Sequence, residues 1–211
     1  MQTHEIQIPR VSAHSPALVF DFGGVLIDWN PRYLYRKLFR DDQAIENFLQ
    51  ESRFYEWILE QDAGLDFEEA VARMCDRYPQ HCAMFAAYDQ RYEETIRGPI
   101  HASVEILRAL KDGGHPLYAL SNWPAEKFRL VSHKFPFFEW FDDMVISGNV
   151  HLAKPDPRIF ELLLERIGLP ADECVFIDDS AKNIAAAQEL GFQTILFRSA
   201  DQMAQELTAV L

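Results

Sequence analysis

The chain has 211 residues, of which 48% are hydrophobic and 25% charged, an ordinary balance for one globular core domain with room for a smaller insert. The formal net charge of −13 argues against a general nucleic-acid binder and against binding to anionic membranes. It does not exclude an anionic small substrate, because a bound cation can reverse the local field. No stretch approaches the ~20 apolar residues of a membrane span, and residues 1–16 show no signal peptide.

The three cysteines, Cys75, Cys82 and Cys174, are odd in number and follow no metal-ligand spacing. We therefore expect free thiols in a reducing compartment, and hence a cytoplasmic protein. The seven histidines show no paired ligand spacing either, and His151 is expected to be a plain loop residue.

Residues 1–16 are mostly polar and are expected to form a lead-in. Residues 17–20 are apolar, which predicts a strand buried on both faces of a parallel sheet. Asp21 follows directly, and Gly23 and Gly24 give the next turn unusual freedom. Because ligands of open α/β sheets bind outside the carboxyl ends of the strands, Asp21 is a candidate functional carboxylate. A turn or helix-capping aspartate is the alternative.

Residues 31–97 have a different pattern, in which apolar side chains recur at helical spacing and no strand-like run is present. Asp66, with Glu69 three residues later, resembles the capping box of a helix start. The pattern predicts a helical insert over 31–97, which interrupts an α/β core made of residues 17–30 and 98–211.

From residue 98 onward, helices and strands alternate. The predicted strands are 117–121, 144–147, 174–179 and 193–197, and the predicted helices are 99–112, 124–134, 157–168, 181–190 and 200–211. Short connections between alternating elements are typical of a doubly wound (Rossmann-like) parallel sheet with helices on both faces. The predicted fold class is therefore α/β with an inserted α-helical domain.

Polar groups follow several of the predicted strands. They are Asp21, the pair Ser121 and Asn122, Lys154, and the pair Asp178 and Asp179. Because right-handed crossovers return every strand in the same sense, we expect these groups at one edge of the sheet. Three carboxylates raise one another's pKa, and one lysine leaves an excess of negative charge. Mg²⁺ would balance this excess, since it prefers carboxylate and carbonyl oxygens.

This set of residues suits phosphoryl transfer. An ionised Asp21 could attack phosphorus and form an acyl-phosphate, a known role of carboxylate nucleophiles. Lys154 would balance the charge of the transferring group, and Ser121 with groups near Asn122 would bind phosphate oxygens.

The chain resembles the haloacid dehalogenase (HAD) superfamily of hydrolases, in the subgroup with a helical cap inserted after the first strand. Four segments carry the resemblance, which covers about residues 17–198: Phe20–Val25, Leu120–Asn122, Lys154–Pro157 and Phe176–Ser180. It implies an Mg²⁺-dependent phosphatase that hydrolyses a small phosphorylated metabolite, such as a sugar phosphate, through an aspartyl-phosphate. It also implies Asp21 as the nucleophile, Ser121 and Lys154 as phosphoryl ligands, a cap over 31–97, and metal ligands from Asp21, the Gly23 carbonyl, Asp178 and Asp179.

One position departs from the family pattern. Family phosphatases usually carry a second aspartate two residues after the nucleophile, as general acid and base, and Gly23 stands there in this chain. Such help is typically worth ~10²–10⁴-fold in rate. Either another group supplies it, or the leaving group needs none, or activity is low. Asp28 is a candidate substitute, with a hinge carboxylate as the alternative.

Two other functions stay open. Haloacid dehalogenases of the superfamily also lack the second aspartate and attack a carbon–halogen bond without metal, but their fourth motif is polar and uncharged, so Asp178 and Asp179 favour a phosphatase. The second alternative is a non-catalytic relative that binds a phosphorylated metabolite. Gly23 favours it, because glycine cannot act as the general acid.

Several further residues have two interpretations each. Asn183, one helical turn after Asp179, either supports the site or lies on the surface. The aromatic residues of the insert and its approach either line a substrate pocket or form core; these are Trp29, Phe54, Tyr55 and Trp57. The helix from Ala125 is expected to present a solvated charged face, which includes Lys127.

Overall fold

A computed structural model describes residues 10–12 and 15–211. The lead-in predicted for residues 1–16 therefore lies mostly outside the described residues. The strands are β1 (Ala17–Phe20), β2 (Ile27–Trp29), β3 (Ile96–Pro99), β4 (Leu117–Ser121), β5 (Asp143–Ile146), β6 (Cys174–Asp178) and β7 (Gln193–Leu196).

The helices fall into two groups along the chain. The first group is α1 (Arg32–Tyr35), α2 (Asp42–Glu51), α3 (Phe54–Asp62), α4 (Phe67–Arg77) and α5 (Cys82–Gln90). We call α1–α5 the helical insert. The second group is α6 (His101–Asp112), α7 (Ala125–Val131), α8 (Ser147–Val150), α9 (Pro157–Ile167), α10 (Ala181–Glu189) and α11 (Ala200–Val210). Among the described residues, no helix combines the length and the apolar character that crossing a membrane requires.

Five strands form one parallel sheet in the order β5-β4-β1-β6-β7. The central strand is β1, in which Leu18 lies opposite Leu117 of β4 on one side and Val175 of β6 on the other. The chain winds from β1 to β4 and β5 in one direction, then returns to β6 and β7 in the other. The strand order thus reverses beside β1, which confirms the predicted doubly wound α/β fold and places a crevice at the carboxyl end of β1.

Both faces of the sheet are buried, as the unbroken apolar run of β1 requires. Leu18 and Phe20 point into one core, whereas Ala17 and Val19 point into a second core on the opposite face. This alternation follows from the two-residue period of a strand. A strand buried on both faces cannot carry polar side chains within it, so the polar groups collect where the strands end.

A short antiparallel ribbon joins the helical insert to the core, and the sequence analysis missed it. Strands β2 and β3 pair with Ile27 opposite Pro99 and Asp28 opposite Gly98. The expectation that no strand lies within 31–97 is therefore wrong, because β3 begins at Ile96. A strand of three or four residues shows too little alternation to be recognised, and its identity depends on the partner strand that satisfies its backbone.

Aromatic side chains form the centre of the helical insert. Phe54 is fully buried, and its ring contacts several other aromatic rings. The ring centroids lie 5.5 Å from Tyr35, 5.9 Å from Phe48, 5.5 Å from Trp57 and 5.1 Å from Tyr88. Helix α4 begins as predicted, since the Asp66 carboxylate accepts a hydrogen bond from the Glu69 amide at 3.1 Å. This cap satisfies one of the free donors of the first turn.

The cysteine prediction is wrong for two of the three residues. Cys75, near the end of α4, and Cys82, at the start of α5, form a disulfide, while Cys174 is a free and buried thiol. The two helices are joined by a single 3₁₀ turn, Pro79–His81, which brings the two cysteines to a Cα–Cα distance of 4.4 Å. Sequence spacing alone does not reveal this approach.

Lys127 is also not part of a solvated face. Its side chain is buried between the core and the helical insert, where its ammonium donates to the Asp89 carboxylate at 2.5 Å and lies 4.2 Å from the ring centroid of Phe67. An exposed helix of the core would leave this lysine in water, but α4 and α5 pack over it. Lys127 therefore ties α7 to the insert.

We expect Gly148→Ala to destabilise the fold. A Cβ at Gly148 would lie 2.3 Å from the backbone nitrogen of Ala125, so α8 and α7 would have to separate. Overpacking of this kind costs about 1–3 kcal/mol in the free energy of unfolding, measurable by urea denaturation. Gly168→Asn is the matched control, because a Cβ there meets nothing within 4 Å and asparagine tolerates its φ of +69°. Equal losses in the two variants would contradict the packing argument.

Candidate active site

The predicted polar groups do meet at the carboxyl edge of the sheet. Asp21 follows β1, Ser121 ends β4, and Asp178 ends β6, and these three strands are neighbours in the sheet. Lys154 reaches the same place from the loop between α8 and α9. The site therefore lies at the point where the strand order reverses, as expected for a doubly wound sheet.

Lys154 is the buried centre of this group. Its side chain is fully enclosed, and its ammonium lies 2.7 Å from Asp178 Oδ2 and 3.1 Å from Asp21 Oδ1. It also donates to the Leu120 carbonyl at 2.6 Å. Burial alone would lower the pKa of Lys154, but the charges of Asp178 and Asp21 outweigh it and raise the pKa. Lys154 is therefore a permanent cation between two carboxylates.

Asn122 fixes the loop that carries Lys154. The Asn122 side-chain amide donates to the Lys154 carbonyl at 2.9 Å, and its oxygen accepts from the Lys154 amide at 2.8 Å. This reciprocal pair of hydrogen bonds satisfies the backbone amide and carbonyl of Lys154, which lie in a loop outside any helix or strand. Its geometry is that of an orienting residue, although Asn122 also lines the cavity described below.

Asp178 has almost all of its hydrogen-bonding capacity in use. Besides Lys154, its carboxylate accepts from the Ser180 amide at 2.7 Å and from the Asn183 side chain at 3.1 and 3.0 Å. Asp178 is fully buried, and Asn183 is buried beside it. Of the two interpretations of Asn183, the supporting position is the one found, since it holds the carboxylate that holds Lys154.

Asp21 is buried and electrostatically strained. Burial raises the pKa of Asp21 to about 7; Lys154 opposes this rise, whereas Asp178 and Asp179 add to it. The hydroxyl of Ser121 lowers the pKa of Asp21 slightly, yet within residues 10–12 and 15–211 it makes no hydrogen bond of ordinary geometry. Three carboxylates thus share one lysine, and the group retains a net negative charge.

The arrangement fits a divalent cation. One carboxylate oxygen each from Asp21, Asp178 and Asp179 can be chosen so that all three lie within 4.8 Å of one another. Oxygen ligands from carboxylates are those that Mg²⁺ prefers. Asp179 is exposed at the cavity, whereas Asp178 is buried. Partial desolvation and the charge of Asp178 still raise the pKa of Asp179. Asp179 is therefore the carboxylate whose oxygens are most available to an incoming cation.

The two glycines after Asp21 have different environments. Gly24 has a φ of +74°, and a Cβ there would lie 2.3 Å from the Asp179 carboxylate, so only glycine lets this turn approach the site. A Cβ at Gly23 would meet nothing within 4 Å, and Gly23 lines the cavity. The empty space at Gly23 is where the resemblance leads one to expect a second aspartate.

A cavity of about 490 Å³ opens in front of these groups, within the ~300–1,000 Å³ of typical ligand sites. Its floor includes Asp21, Lys154 and Asp179, and its walls combine apolar and aromatic side chains with polar and charged ones. Trp29 and Tyr55 line it, whereas Phe54 and Trp57 belong to the core of the insert. Within α3, Tyr55 thus faces the cavity and Phe54 and Trp57 face the core, whereas Trp29, on β2, lines the cavity and also packs against the core.

Asp28 lies away from this cavity. It sits in β2, and its carboxylate accepts a hydrogen bond from the Tyr33 hydroxyl at 2.7 Å. Asp28 is not among the residues that line the cavity. Of its two interpretations, the position found is that of a hinge carboxylate in the ribbon that leads into the insert.

Asp62, the last residue of α3, lines the cavity and was not among the predicted site residues. It is 8% exposed. A signal was present in the sequence: Asp62 lies four residues after Ile58 and eight after Phe54, which places a carboxylate on the apolar face of a helix. A carboxylate on such a face is seldom buried without a reason.

His151 is a loop residue as expected, but it has a specific contact. Its backbone is left-handed with a φ of 56°, and its ring packs against Gly64 of the insert, where a Cβ would lie 2.0 Å from His151 Nδ1. The contact joins the end of α3 to the loop that leads to Lys154.

Proteins of similar sequence include two phosphatases. The sesquiterpene phosphatase astK of Aspergillus oryzae is 29% identical over 181 residues, which cover 83% of this chain and 86% of that protein. The D-ribitol-5-phosphate phosphatase of Bacteroides thetaiotaomicron is 24% identical over 92% of this chain and 97% of its own length. The drimenol cyclase drtB of Aspergillus calidoustus is 26% identical over 92% of this chain, which spans only 36% of that protein.

Solved structures agree with these sequence relatives. The HAD family enzyme bt-2542 from Bacteroides thetaiotaomicron superposes with a TM-score of 0.68 at 26% identity, over 87% of this chain and 94% of that chain. Its wild-type complex with magnesium and inorganic phosphate gives a TM-score of 0.65 at 25% identity, over the same shares of the two chains. L-2-haloacid dehalogenase from Xanthobacter autotrophicus, at 19% identity over 92% of this chain and 83% of that chain, has a TM-score of 0.64 and shares the fold.

A family model of haloacid dehalogenase-like hydrolases matches residues 16–191, which include β1, the whole helical insert and every polar group of the site. The chain belongs to the haloacid dehalogenase-like hydrolases.

Proposed function

We propose that this hydrolase cleaves phosphate monoesters of small metabolites through an aspartyl-phosphate on Asp21, with Mg²⁺ bound at the carboxylate cluster. The observation that carries the proposal is a cluster of three carboxylates at a cavity, two of which contact one enclosed ammonium. Simple binding of a ligand does not require a carboxylate and a lysine to be buried together. Relatives named as phosphatases and a structural neighbour with magnesium and phosphate support it.

In this proposal Asp21 Oδ2 is the attacking atom. The neighbouring amide of Phe22 and the ammonium of Lys154 both contact Oδ1, which fixes the carboxylate and leaves Oδ2 with free lone pairs. The P–O bond to the leaving group breaks as the bond to Oδ2 forms, and water later releases inorganic phosphate from Asp21. Positioning of this kind supplies much of what phosphoryl transfer needs.

The other residues bind and orient. Lys154 lies beside the nucleophile, where it would balance charge on the transferring group, and the unbonded Ser121 hydroxyl would donate to a phosphate oxygen. Asp178 and Asn183 hold Lys154 in place. Asp21, the Gly23 carbonyl and Asp179 would hold Mg²⁺, with Asp178 bound directly or through water. When bound, Mg²⁺ would neutralise and orient the phosphate.

The helical insert would act as the cap in this proposal, over residues 31–97. Helix α3 contributes Tyr55, Ile58 and Leu59 to the cavity wall, so the insert covers the space that the organic part of a substrate would fill. The apolar and aromatic part of this wall suits a carbon skeleton. A phosphate-release screen of sugar phosphates, prenyl and short alkyl phosphates, and nucleotides would rank these classes.

The dehalogenase alternative is less well supported. Asp179 is open to the cavity and lies with Asp21 and Asp178 in one cluster, and a metal-free attack on a carbon–halogen bond has no use for two further carboxylates. Likeness to L-2-haloacid dehalogenase at 19% identity extends to the fold alone.

Asp21→Asn is expected to abolish hydrolysis of phosphate esters, by on the order of 10⁴-fold or more, because the amide cannot form the phosphorylated intermediate. The measurement is release of inorganic phosphate, with circular dichroism to show that the fold is kept. Asp28→Asn is the matched control, since it removes a carboxylate seven residues away that does not line the cavity. Turnover by Asp21→Asn at the wild-type rate would contradict the mechanism.

Metal removal gives an independent test. We expect EDTA to stop phosphate release and added Mg²⁺ to restore it. Mg²⁺ should also raise the Tm of the wild type, because binding to the folded state alone stabilises it. Asp179→Asn should lose most of that shift, since Asp179 is the carboxylate most open to the cavity. Hydrolysis that survives EDTA, or halide release from 2-chloropropionate without metal, would contradict the assignment.

A further inference from the structure

Asp62 is a buried carboxyl group that the proposed chemistry has not yet used. It is 8% exposed and lines the same cavity as Asp21, on the wall that the helical insert provides. Among the described residues, its carboxyl group has no hydrogen-bond donor and no ion-pair partner. A carboxyl group that is nine-tenths buried and bonds to no described residue is available to whatever occupies the cavity.

The end of α3 holds Asp62 in a defined place. Gly64, two residues later, has a φ of +98°, and its amide closes the helix by donating to the Gln61 carbonyl at 2.9 Å. The ring of His151 fills the space that a Cβ at Gly64 would need. This contact presses the last turn of α3 against the core, beside the loop that carries Lys154. Asp62 is therefore held at the end of α3, in the wall of the cavity that Asp21 also lines.

The surroundings of Asp62 favour its protonated form. Burial raises its pKa to about 8, the negative charge of Asp21 adds to the rise, and Lys154 opposes it. Tyr88 and Tyr92 also line the cavity, and burial, with a smaller contribution from the charge of Asp62, raises the pKa of each hydroxyl well above its usual value, so both are neutral. His151 is the nearby titratable group of the loop after α8, against Gly64. Asp62 is thus a neutral acid near neutral pH, which is the form a proton donor needs.

We propose that Asp62 is the general acid and base of the hydrolysis, in the role that Gly23 cannot fill. The inference rests on the proposed function, because it needs a leaving group expelled from phosphorus at Asp21. Asp62 and Asp21 line one cavity, so a substrate that fills this cavity can contact both.

The proton balance is closed in two steps. As Asp21 Oδ2 bonds to phosphorus and the P–O bond to the alcohol breaks, the Asp62 proton passes to the departing oxygen, giving the free alcohol and an Asp62 carboxylate. That carboxylate then takes a proton from the water that attacks the phosphorus of phospho-Asp21. The P–O bond to Asp21 breaks, inorganic phosphate leaves, and Asp62 is protonated again. No further reactant is needed.

The test compares two leaving groups in Asp62→Asn. The substrates are p-nitrophenyl phosphate, whose leaving group departs as a stable anion, and the alkyl phosphate that the wild type hydrolyses fastest. The variant should form phospho-Asp21 from the alkyl phosphate about 10²–10⁴-fold more slowly. Its first turnover of the aryl phosphate should stay within about threefold of wild type, seen as a burst of one p-nitrophenol per enzyme, because no proton donor is needed there.

Two further variants separate a lost proton carrier from a damaged site. Asp28→Asn is the control for removal of a carboxylate outside the cavity and should match the wild type on both substrates. Gly23→Asp in the Asp62→Asn background should recover at least about a tenth of the lost alkyl rate, because the position faces the cavity and has room for a side chain.

The pH profile adds a readout that packing damage would not produce. Because the acid must be protonated, the alkyl-phosphate rate of the wild type should fall as pH rises through about 8. In Asp62→Asn this alkaline limb should be absent.

Three outcomes would overturn the inference. These are wild-type alkyl rates in Asp62→Asn, equal losses with both substrates, or an alkaline limb that survives the substitution. If the wild type hydrolyses neither substrate, the proposed function fails and the inference fails with it. If the wild type is active and only the Asp62 comparison disagrees, the proposed function stands and Asp62 has no part in it.

Discussion

The enclosed ammonium of Lys154 is the interaction on which the rest of the site depends. It contacts carboxylates from two neighbouring strands, Asp21 after β1 and Asp178 at the end of β6, and a carbonyl of β4 between them in sequence. Removing one partner of a buried ion pair typically costs about 3–5 kcal/mol, because the other charge is left uncompensated. The three strand ends are therefore held in one arrangement.

The same arrangement crowds negative charge at the site, and this excess indicates what the site binds. Burial raises the pKa values of Asp21 and Asp179, and neighbouring carboxylates that one ammonium cannot neutralise add to the rise, so the site favours positive charge. A metal ion and a phosphoryl group together would relieve the imbalance. The helical insert contributes the other half of the environment. The insert contacts the core through the packing of Gly64 against the His151 ring and through the Lys127–Asp89 ion pair. These contacts fix the position of its cavity-lining residues relative to the sheet.

The sheet and its polar edge could be predicted from sequence because both depend on local patterns. Apolar runs that end in Asp21, Ser121 and Asp178 specify strands and the functional edge at once. The errors concern contacts between segments far apart in the chain or across a turn. The β2–β3 ribbon is too short to show a period, the Cys75–Cys82 disulfide depends on how two helices meet, and Lys127 is buried by helices of the insert. The presence of Asp62 in the cavity that Asp21 lines likewise depends on how α3 docks, which no motif records.

The central claim is that Asp21 becomes phosphorylated, and acid-quench mass spectrometry measures this directly. The wild type is mixed with Mg²⁺ and p-nitrophenyl phosphate, quenched within the first turnover, digested and sequenced by fragmentation. The account predicts one phosphoryl group on the peptide that contains Asp21, formed at the rate of p-nitrophenol release. Release of p-nitrophenol with no phosphoryl group on that peptide, or with the group on another residue, would contradict it.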